Sequence, residues 1–229
     1  ALIAKLLGYG VLSCLPAIVV ELILSAIIER LNVRNVYLGY FLEAFVVAGL
    51  TEETCKFLFL RTTWRNPAFD YQFDAIVYAV MVALGFAAFE NVKYVYSYGF
   101  ATGIVRAVTA VPGHAIFGVF MGYFYGYAKL SDYWGRDDDR KAYLALSVVV
   151  PVLMHGCYDF LAFTQESDSR FTLLFYAYLV ALYVFGIRRV NRSSRDDRRV
   201  TRETVFDYFR RMQYPMPPQY RDRNDDFWR

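Results

Sequence analysis

Two histidines and several carboxylates lie inside long apolar stretches of this sequence. These ionisable residues are Glu43, Glu52, Glu53, Lys56, Glu90, His114, His155 and Asp159. Each such residue costs about 2.5–3.5 kcal/mol at the centre of a membrane helix, so it usually has a function or a partner. A lone membrane histidine is most often a hydrogen-bonding residue between helices. Two histidines with several carboxylates instead favour a reactive site.

Two prolines indicate that water reaches these histidines. Pro112 precedes His114 by two residues, and Pro151 precedes His155 by four. Each proline frees a helix carbonyl, which a membrane tolerates only where protein or water satisfies it. Water, carboxylates and histidines together can hydrolyse a bond, either with a zinc ion or with a glutamate as the general base.

Helical spacing places these residues on shared faces. Gly118, Gly122 and Gly126 follow His114 at steps of four, which predicts that another helix approaches this face closely. Small residues also repeat every four positions from Ala75 to Ala87, followed by Glu90. His155 with Asp159, and Glu52 with Lys56, are pairs spaced i, i+4 that face one another on a helix. A simpler interpretation, helix packing with neutralised ion pairs, leaves the histidines unexplained.

Hairpin connections predict which residues share a depth. His114 and His155 are equidistant from the centre of the polar 129–140 loop, and Glu90 and His114 are nearly equidistant from the turn at Gly99–Gly103. Glu53 fits less well, because counting along its hairpin places it about 6–12 Å nearer the other end of the bundle. The sequence therefore predicts that these residues lie on facing sides of their helices, but that Glu53 lies at a different depth from the histidines.

Six stretches are long and apolar enough, or nearly so, to position these residues in a membrane. They cover about residues 1–28, 36–60, 74–98, 101–130, 141–163 and 171–187, in a chain that is 57% apolar and 19% aromatic. We therefore predict an all-α polytopic transmembrane bundle of about six helices in a lipid bilayer. The first stretch lacks the pattern of a cleaved signal peptide and begins without Met, so we expect that the natural start is missing, either alone or together with one more upstream helix.

The charges divide the chain into an apolar transmembrane body, residues 1–190, and a basic tail, residues 191–229. Residues 188–229 hold 12 of the 25 Lys and Arg residues, and the alternating loops place most of the others on the same side. Because basic loops stay in the cytoplasm, we expect a cell-membrane protein with a cytoplasmic tail. The tail is predicted to be largely disordered, with a short amphipathic segment at Val205, Phe206 and Phe209. The apolar body excludes a nucleic-acid-binding domain.

Four motifs at these positions resemble a known family. TEETCK at residues 51–56 is similar to an EExxK motif, and residues 86–90 are similar to FxxxE. His114 stands in PGHAIFG, and residues 155–159 form HxxxD. Together they resemble the PrsW intramembrane proteases, in the clan of the type II CAAX prenyl endopeptidases and Abi proteins. The resemblance implies a protease that cuts a single-span membrane protein, such as an anti-sigma factor at the start of a stress response.

The expected roles follow from the residue types and the resemblance. Glu52 or Glu53 is the general base, and Asp159 orients His155. Glu90, His114 and His155 hold a zinc ion or polarise the water directly, and Lys56 keeps the glutamate pair charged. A proton- or ion-coupled transporter is the main alternative, since carboxylates and histidines also form proton relays. A third interpretation is a membrane scaffold whose basic tail recruits lipid or cytosolic partners. This interpretation leaves the buried ionisable residues without a function.

Overall fold

The computed structural model describes residues 2–200, and this part of the chain is helical with no strand. Short 3₁₀ turns at Arg61–Thr63 and Ser169–Phe171 join longer elements. These are α1 (Leu2–Arg30), α2 (Val36–Phe41), a π-helical segment (Leu42–Leu50), α3 (Thr51–Leu60), α4 (Gln72–Tyr98), α5 (Phe100–Val108), α6 (Ala110–Tyr133), α7 (Asp137–Ser167) and α8 (Thr172–Arg195). The predicted all-α fold is confirmed.

Five helices of the described part are long and apolar enough to cross a membrane. They are Leu2–Arg30, Gln72–Tyr98, Phe100–Tyr133, Asp137–Ser167 and Ser169–Arg195. The predicted stretch at residues 36–60 is helical as well, but it is divided into three segments and carries most of the buried charge. The chain is therefore a multi-pass membrane protein in which one helical run is specialised for ionisable residues.

The glycine stripe of α6 packs directly on the small residues of α4. A Cβ atom at Gly122 would overlap the Ala75 carbonyl, and a Cβ atom at Gly118 would lie 3.0 Å from the Ala79 carbonyl oxygen. Only glycine permits this separation of the two backbones. The predicted close approach is confirmed, and its partner is α4.

A second close approach, between α1 and α4, has no counterpart in the sequence analysis. Gly10 of α1 and Gly85 of α4 face each other, and a Cβ atom at either position would overlap the backbone of the opposite helix. Gly85 lies five residues before Glu90. The contact therefore fixes α1 beside the part of α4 that carries the predicted site.

A tyrosine hydroxyl, and not water, binds the carbonyl that Pro112 leaves free. α5 ends at Val108 and α6 begins at Ala110, so Pro112 lies in a first turn, where a missing N–H costs little. The Tyr183 hydroxyl donates to the Val108 carbonyl at 2.7 Å. At this proline, protein rather than water satisfies the freed carbonyl.

The predicted depth mismatch of Glu53 is absent because the hairpin loops do not lie at one level. The Tyr125 hydroxyl donates to the Leu60 carbonyl at 3.5 Å, so the end of α3 lies beside α6 at a point eight residues before α6 ends. α6 continues from there to Tyr133, about 12 Å at 1.5 Å per residue. The count along the 61–73 connection takes Leu60 as level with the end of the bundle, and it therefore places Glu53 too far from the histidines by about this length.

The chain remains packed against the bundle beyond residue 190. α8 continues to Arg195, and the Val200 amide donates to the Asp70 carbonyl at 2.7 Å. Val200 itself is buried. The predicted amphipathic segment at Val205, Phe206 and Phe209 lies outside the described residues, and the predicted division at residue 190 stays a prediction.

Candidate active site

α3 contributes two glutamates and a lysine to the interior of the bundle. Glu52, Glu53 and Lys56 are all buried, and the exposure of Glu53 is 0%. Lys56 Nζ donates to Glu53 Oε1 at 2.7 Å and to Glu52 Oε2 at 3.1 Å. The three residues directly follow the π-helical segment Leu42–Leu50. Such segments are rare and are found frequently at functional sites.

His155 of α7 contacts the glutamates from the neighbouring helix. Its Nδ1 atom lies 2.9 Å from Glu53 Oε1 and 3.9 Å from Glu52 Oε2. Its Nε2 atom lies 3.2 Å from Asp159 Oδ2, one turn further along α7. The Nδ1 edge of the imidazole ring is therefore directed at the glutamate pair, and a carboxylate holds the opposite nitrogen.

His114 of α6 has the same arrangement with different partners. Its Nδ1 atom lies 3.0 Å from Lys56 Nζ, and its Nε2 atom lies 2.9 Å from Glu90 Oε2. Arg106 of α5 donates to the same Glu90 oxygen at 2.8 Å. Each histidine thus presents Nδ1 to the α3 cluster and Nε2 to a carboxylate.

Aromatic rings surround these charged groups. The Phe117 ring stacks on His155 with centroids 5.1 Å apart, and the Phe86 ring centroid lies 4.1 Å from Lys56 Nζ. The two imidazole centroids are 5.0 Å apart. Apolar walls strengthen each ion pair and make an unpaired charge costly. The cluster is therefore held as one connected network.

A cavity of about 380 Å³ opens beside the network. Its ionisable lining includes Glu21, Glu43, Glu52, Glu90, Lys93, Arg106, His114, His155 and Asp159. Glu53 does not line it. The lining residues of α4 and α6 lie near the α4–α5 turn, at the end of the bundle away from Arg61. The cavity therefore belongs to one half of the bundle.

Comparisons with known proteins agree with this geometry. Residues 1–187 match the family described as PrsW family intramembrane metalloprotease. The chain belongs to the PrsW family. It is 34% identical to Protease PrsW of Oceanobacillus iheyensis over 84% of this chain and 83% of that protein. It is 35% identical to Protease PrsW of Bacillus subtilis over 80% of this chain and 78% of that protein. No solved structure matches the chain significantly.

Membership in the PrsW family makes the chain an intramembrane protease, and it does not favour the transporter alternative. The structure brings all six residues predicted for the PrsW site into one neighbourhood. They are Glu52, Glu53, Glu90, His114, His155 and Asp159. None of the six lies apart from the others, so the sequence analysis identifies a spatial cluster. The cluster alone does not assign a role to each member.

Four residues of the PrsW cluster could hold a metal ion together. One ligand atom each from Glu52, Glu53, His114 and His155 can be chosen so that all four atoms lie within 4.8 Å of one another. Imidazole nitrogens and carboxylate oxygens are zinc ligands. In many zinc sites a carboxylate also holds the far nitrogen of each ligating histidine, as Glu90 and Asp159 do here. The donor set therefore fits zinc.

Two further details bear on the metal. Glu53 Oε2 is buried and has no hydrogen-bond partner among residues 2–200, so this oxygen could accept a cation. The Lys56 ammonium contacts Glu52, Glu53 and His114, and so places a positive charge among three of the same ligands. Glu90, which the sequence analysis assigns as a ligand, lies behind His114 and outside the group of four. Its assignment as a ligand stays a prediction.

Sequence reasoning misses three ionisable residues of the cavity. Arg106 binds Glu90 and lies 3.6 Å from the Tyr94 ring centroid. Glu21 and Lys93 also line the cavity. All three stand within or at the edge of apolar stretches, so the criterion that selects His114 would also have selected them.

Proposed function

We propose that this protease hydrolyses a peptide bond of a single-span membrane protein, with Glu52 as the general base. The main support for this role is that Glu52 lines the cavity together with both histidines, whereas the adjacent Glu53 does not. A general base must lie within hydrogen-bond reach of the water that it deprotonates. Glu52 meets this condition from the cavity. Glu53 instead would hold Lys56 and His155 in position.

A zinc ion would be held by Glu53, His114 and His155, which leaves Glu52 free towards the cavity. When bound, the ion would supply Lewis-acid chemistry by acidifying a water molecule. Glu52 then accepts the proton of the attacking water and later returns it to the leaving amine. Glu90 and Asp159 fix the orientation of the two imidazole rings, and Lys56 offsets the charge of the glutamate pair.

A glutamate-type mechanism is the second candidate, and the position of Lys56 favours it. The ammonium lies 3.1 Å or less from Glu52, Glu53 and His114, so a fixed positive charge already stands in the cluster. In this mechanism His114 and His155 polarise the water directly. Cleavage that persists at full rate after a chelator has removed all metal from the protein would favour this candidate over zinc.

The proposed substrate is an anti-sigma-factor-like protein, and its support is the resemblance to the PrsW family. We place the cut at or just beyond the extracytoplasmic boundary of the substrate's span. The cavity lies towards the α4–α5 turn, and the Lys and Arg counts favour an orientation with that turn outside and the tail in the cytoplasm. Water would then reach the site from the outer side.

The roles of the two glutamates can be tested with a candidate single-span substrate and purified protein. Glu52→Gln should lower the cleavage rate by about 10²–10⁴-fold with metal content and thermal stability unchanged, because the amide cannot accept the proton. Glu53→Gln should lower metal content as well as cleavage. Glu43→Gln, a control in the same cavity, should cleave normally. Full activity of Glu52→Gln would refute its role as the base.

A further inference from the structure

The end of the bundle away from the candidate active site carries a second pocket, which no residue of that site lines. It has a volume of about 270 Å³ and lies between the start of α4, the end of α6 and the end of α8. Its polar walls include Tyr123, Arg189, Arg192, Ser193, Asp196 and Arg198. Three arginines therefore converge on one small space near the ends of spanning helices.

Two residues that line this pocket each have a buried donor without an acceptor among residues 2–200. Arg189 Nε and Ser193 Oγ are both buried without a hydrogen-bond partner. The Arg189 guanidinium also lies 4.1 Å from the Tyr123 ring centroid, which holds it in place. Asp196 also lines the pocket and lies 3.7 Å from Arg192, in a pair that is largely exposed, so the three arginines outnumber this one carboxylate. Buried donors without acceptors are costly, and an anion with several oxygens would satisfy them.

An apolar groove of about 580 Å³ begins at the same arginines. Arg189 and Arg192 line both spaces, and the groove continues along Phe120, Met154, Leu182 and Phe185. On α8, its residues recur every three or four positions from Tyr178 to Arg192, on one face. Tyr178 and Arg192 are 14 positions apart, which corresponds to about 21 Å at 1.5 Å per residue. A cationic pocket thus continues into an apolar groove that runs into the membrane.

We propose that the pocket and groove bind one anionic glycerophospholipid. Its phosphate lies against Arg189, Arg192 and Ser193, and an acyl chain lies in the groove between α6, α7 and α8. Basic pockets between membrane helices bind anionic headgroups in this way. A free phosphate ion would satisfy the same donors, but it would leave the groove unused. The groove therefore selects the lipid as the source of the phosphate.

The test compares lipid binding by the full chain and by two doubly substituted variants. Detergent-purified protein is titrated with phosphatidylglycerol or with phosphatidylcholine, and bound lipid is counted by native mass spectrometry. Arg189→Gln/Arg192→Gln should bind phosphatidylglycerol about 30-fold more weakly, the size expected for the loss of two cationic contacts. Lys141→Gln/Arg195→Gln removes the same charge from outside the pocket and should bind normally. Phosphatidylcholine should bind weakly to all three proteins.

Two further arms test the groove and the source of the phosphate. Ala181→Phe, which fills the groove, should reduce lipid binding without changing the thermal stability of lipid-free protein. Millimolar inorganic phosphate should not displace phosphatidylglycerol. Equally weakened phosphatidylglycerol binding in both double variants would show that the lipid responds only to surface charge, and it would overturn the proposal. Displacement of the lipid by phosphate, or unchanged binding in Ala181→Phe, would also overturn it.

Discussion

The two halves of the α4–α6 pair share the same helices but differ in what those helices contact. Near the start of α4, Ala75 lies against Gly122, and the buried rings of Phe69 and Tyr125 stack beside them. Near the end of α4, Glu90 and His114 face each other beside the cavity. Close apolar packing in one half therefore fixes the helices, so that the other half can hold a polar network and open space.

The largest expected effect comes from disrupting the packed half. Gly122→Leu should lower the free energy of unfolding by about 3 kcal/mol or more and abolish cleavage, because its side chain would overlap the α4 backbone. Thermal unfolding in detergent and cleavage assays measure both effects. Gly8→Leu adds the same side chain where nothing lies within 4 Å, and it should be near neutral. A stable, active Gly122→Leu protein would show that the two helices can separate without consequence.

Removing an imidazole from the polar half should leave the fold intact and lower metal content. If zinc is bound, His155→Ala and His114→Ala should each reduce it from about one ion per chain to well below that, and cleavage should fall with it. Elemental analysis of purified protein measures this change. Wild-type metal content in both variants would exclude the proposed ligand set.

A smaller effect is expected from the carboxylate behind His155. Asp159→Asn should lower kcat/KM by about 10–100-fold without changing thermal stability, because an amide orients the imidazole less well. Asp168→Asn, which changes a pair with the exposed Arg170 outside the cavity, is the matched control. Equal activity of the two variants would show that the Asp159 contact has no positioning role.

The smallest effect is expected at the rim of the cavity. Arg106→Gln removes one of the two partners of Glu90 while His114 remains, so cleavage should fall by only about two- to fivefold. Lys93→Gln removes a positive charge from the same cavity without breaking this ion pair. A loss of more than about 10²-fold in Arg106→Gln would move this residue into the catalytic machinery.

The sequence predicts faces better than it predicts depths. The steps of four at Gly118 and Gly122 predict the α4 contact correctly, because helical periodicity is local. Depth depends on how far each helix extends past its neighbour, and the extension of α6 past Leu60 is a tertiary property. The sequence also leaves Glu52 and Glu53 equivalent as bases. Their difference in cavity access arises from how α3 packs after the π-helical segment.

Local sequence patterns also do not predict the long-range contacts that complete the polar network and the helix packing. Tyr183 caps the Val108 carbonyl from 75 residues away, and Arg106 reaches Glu90 across the α4–α5 turn. Gly10 and Gly85 give no repeating stripe that would pair them. Such contacts depend on which helices become neighbours, and apolar periodicity alone does not specify that arrangement.

The most direct test of the central claim is the position of the cut. Mass spectrometry of product ends from a single-span substrate, with reporter tags that locate the tail, would show which half of the bundle hydrolyses the bond. We predict product ends at or just beyond the substrate's extracytoplasmic boundary, with the tail in the cytoplasm. Cuts confined to the substrate's cytoplasmic juxtamembrane segment, with the tail also in the cytoplasm, would contradict the account.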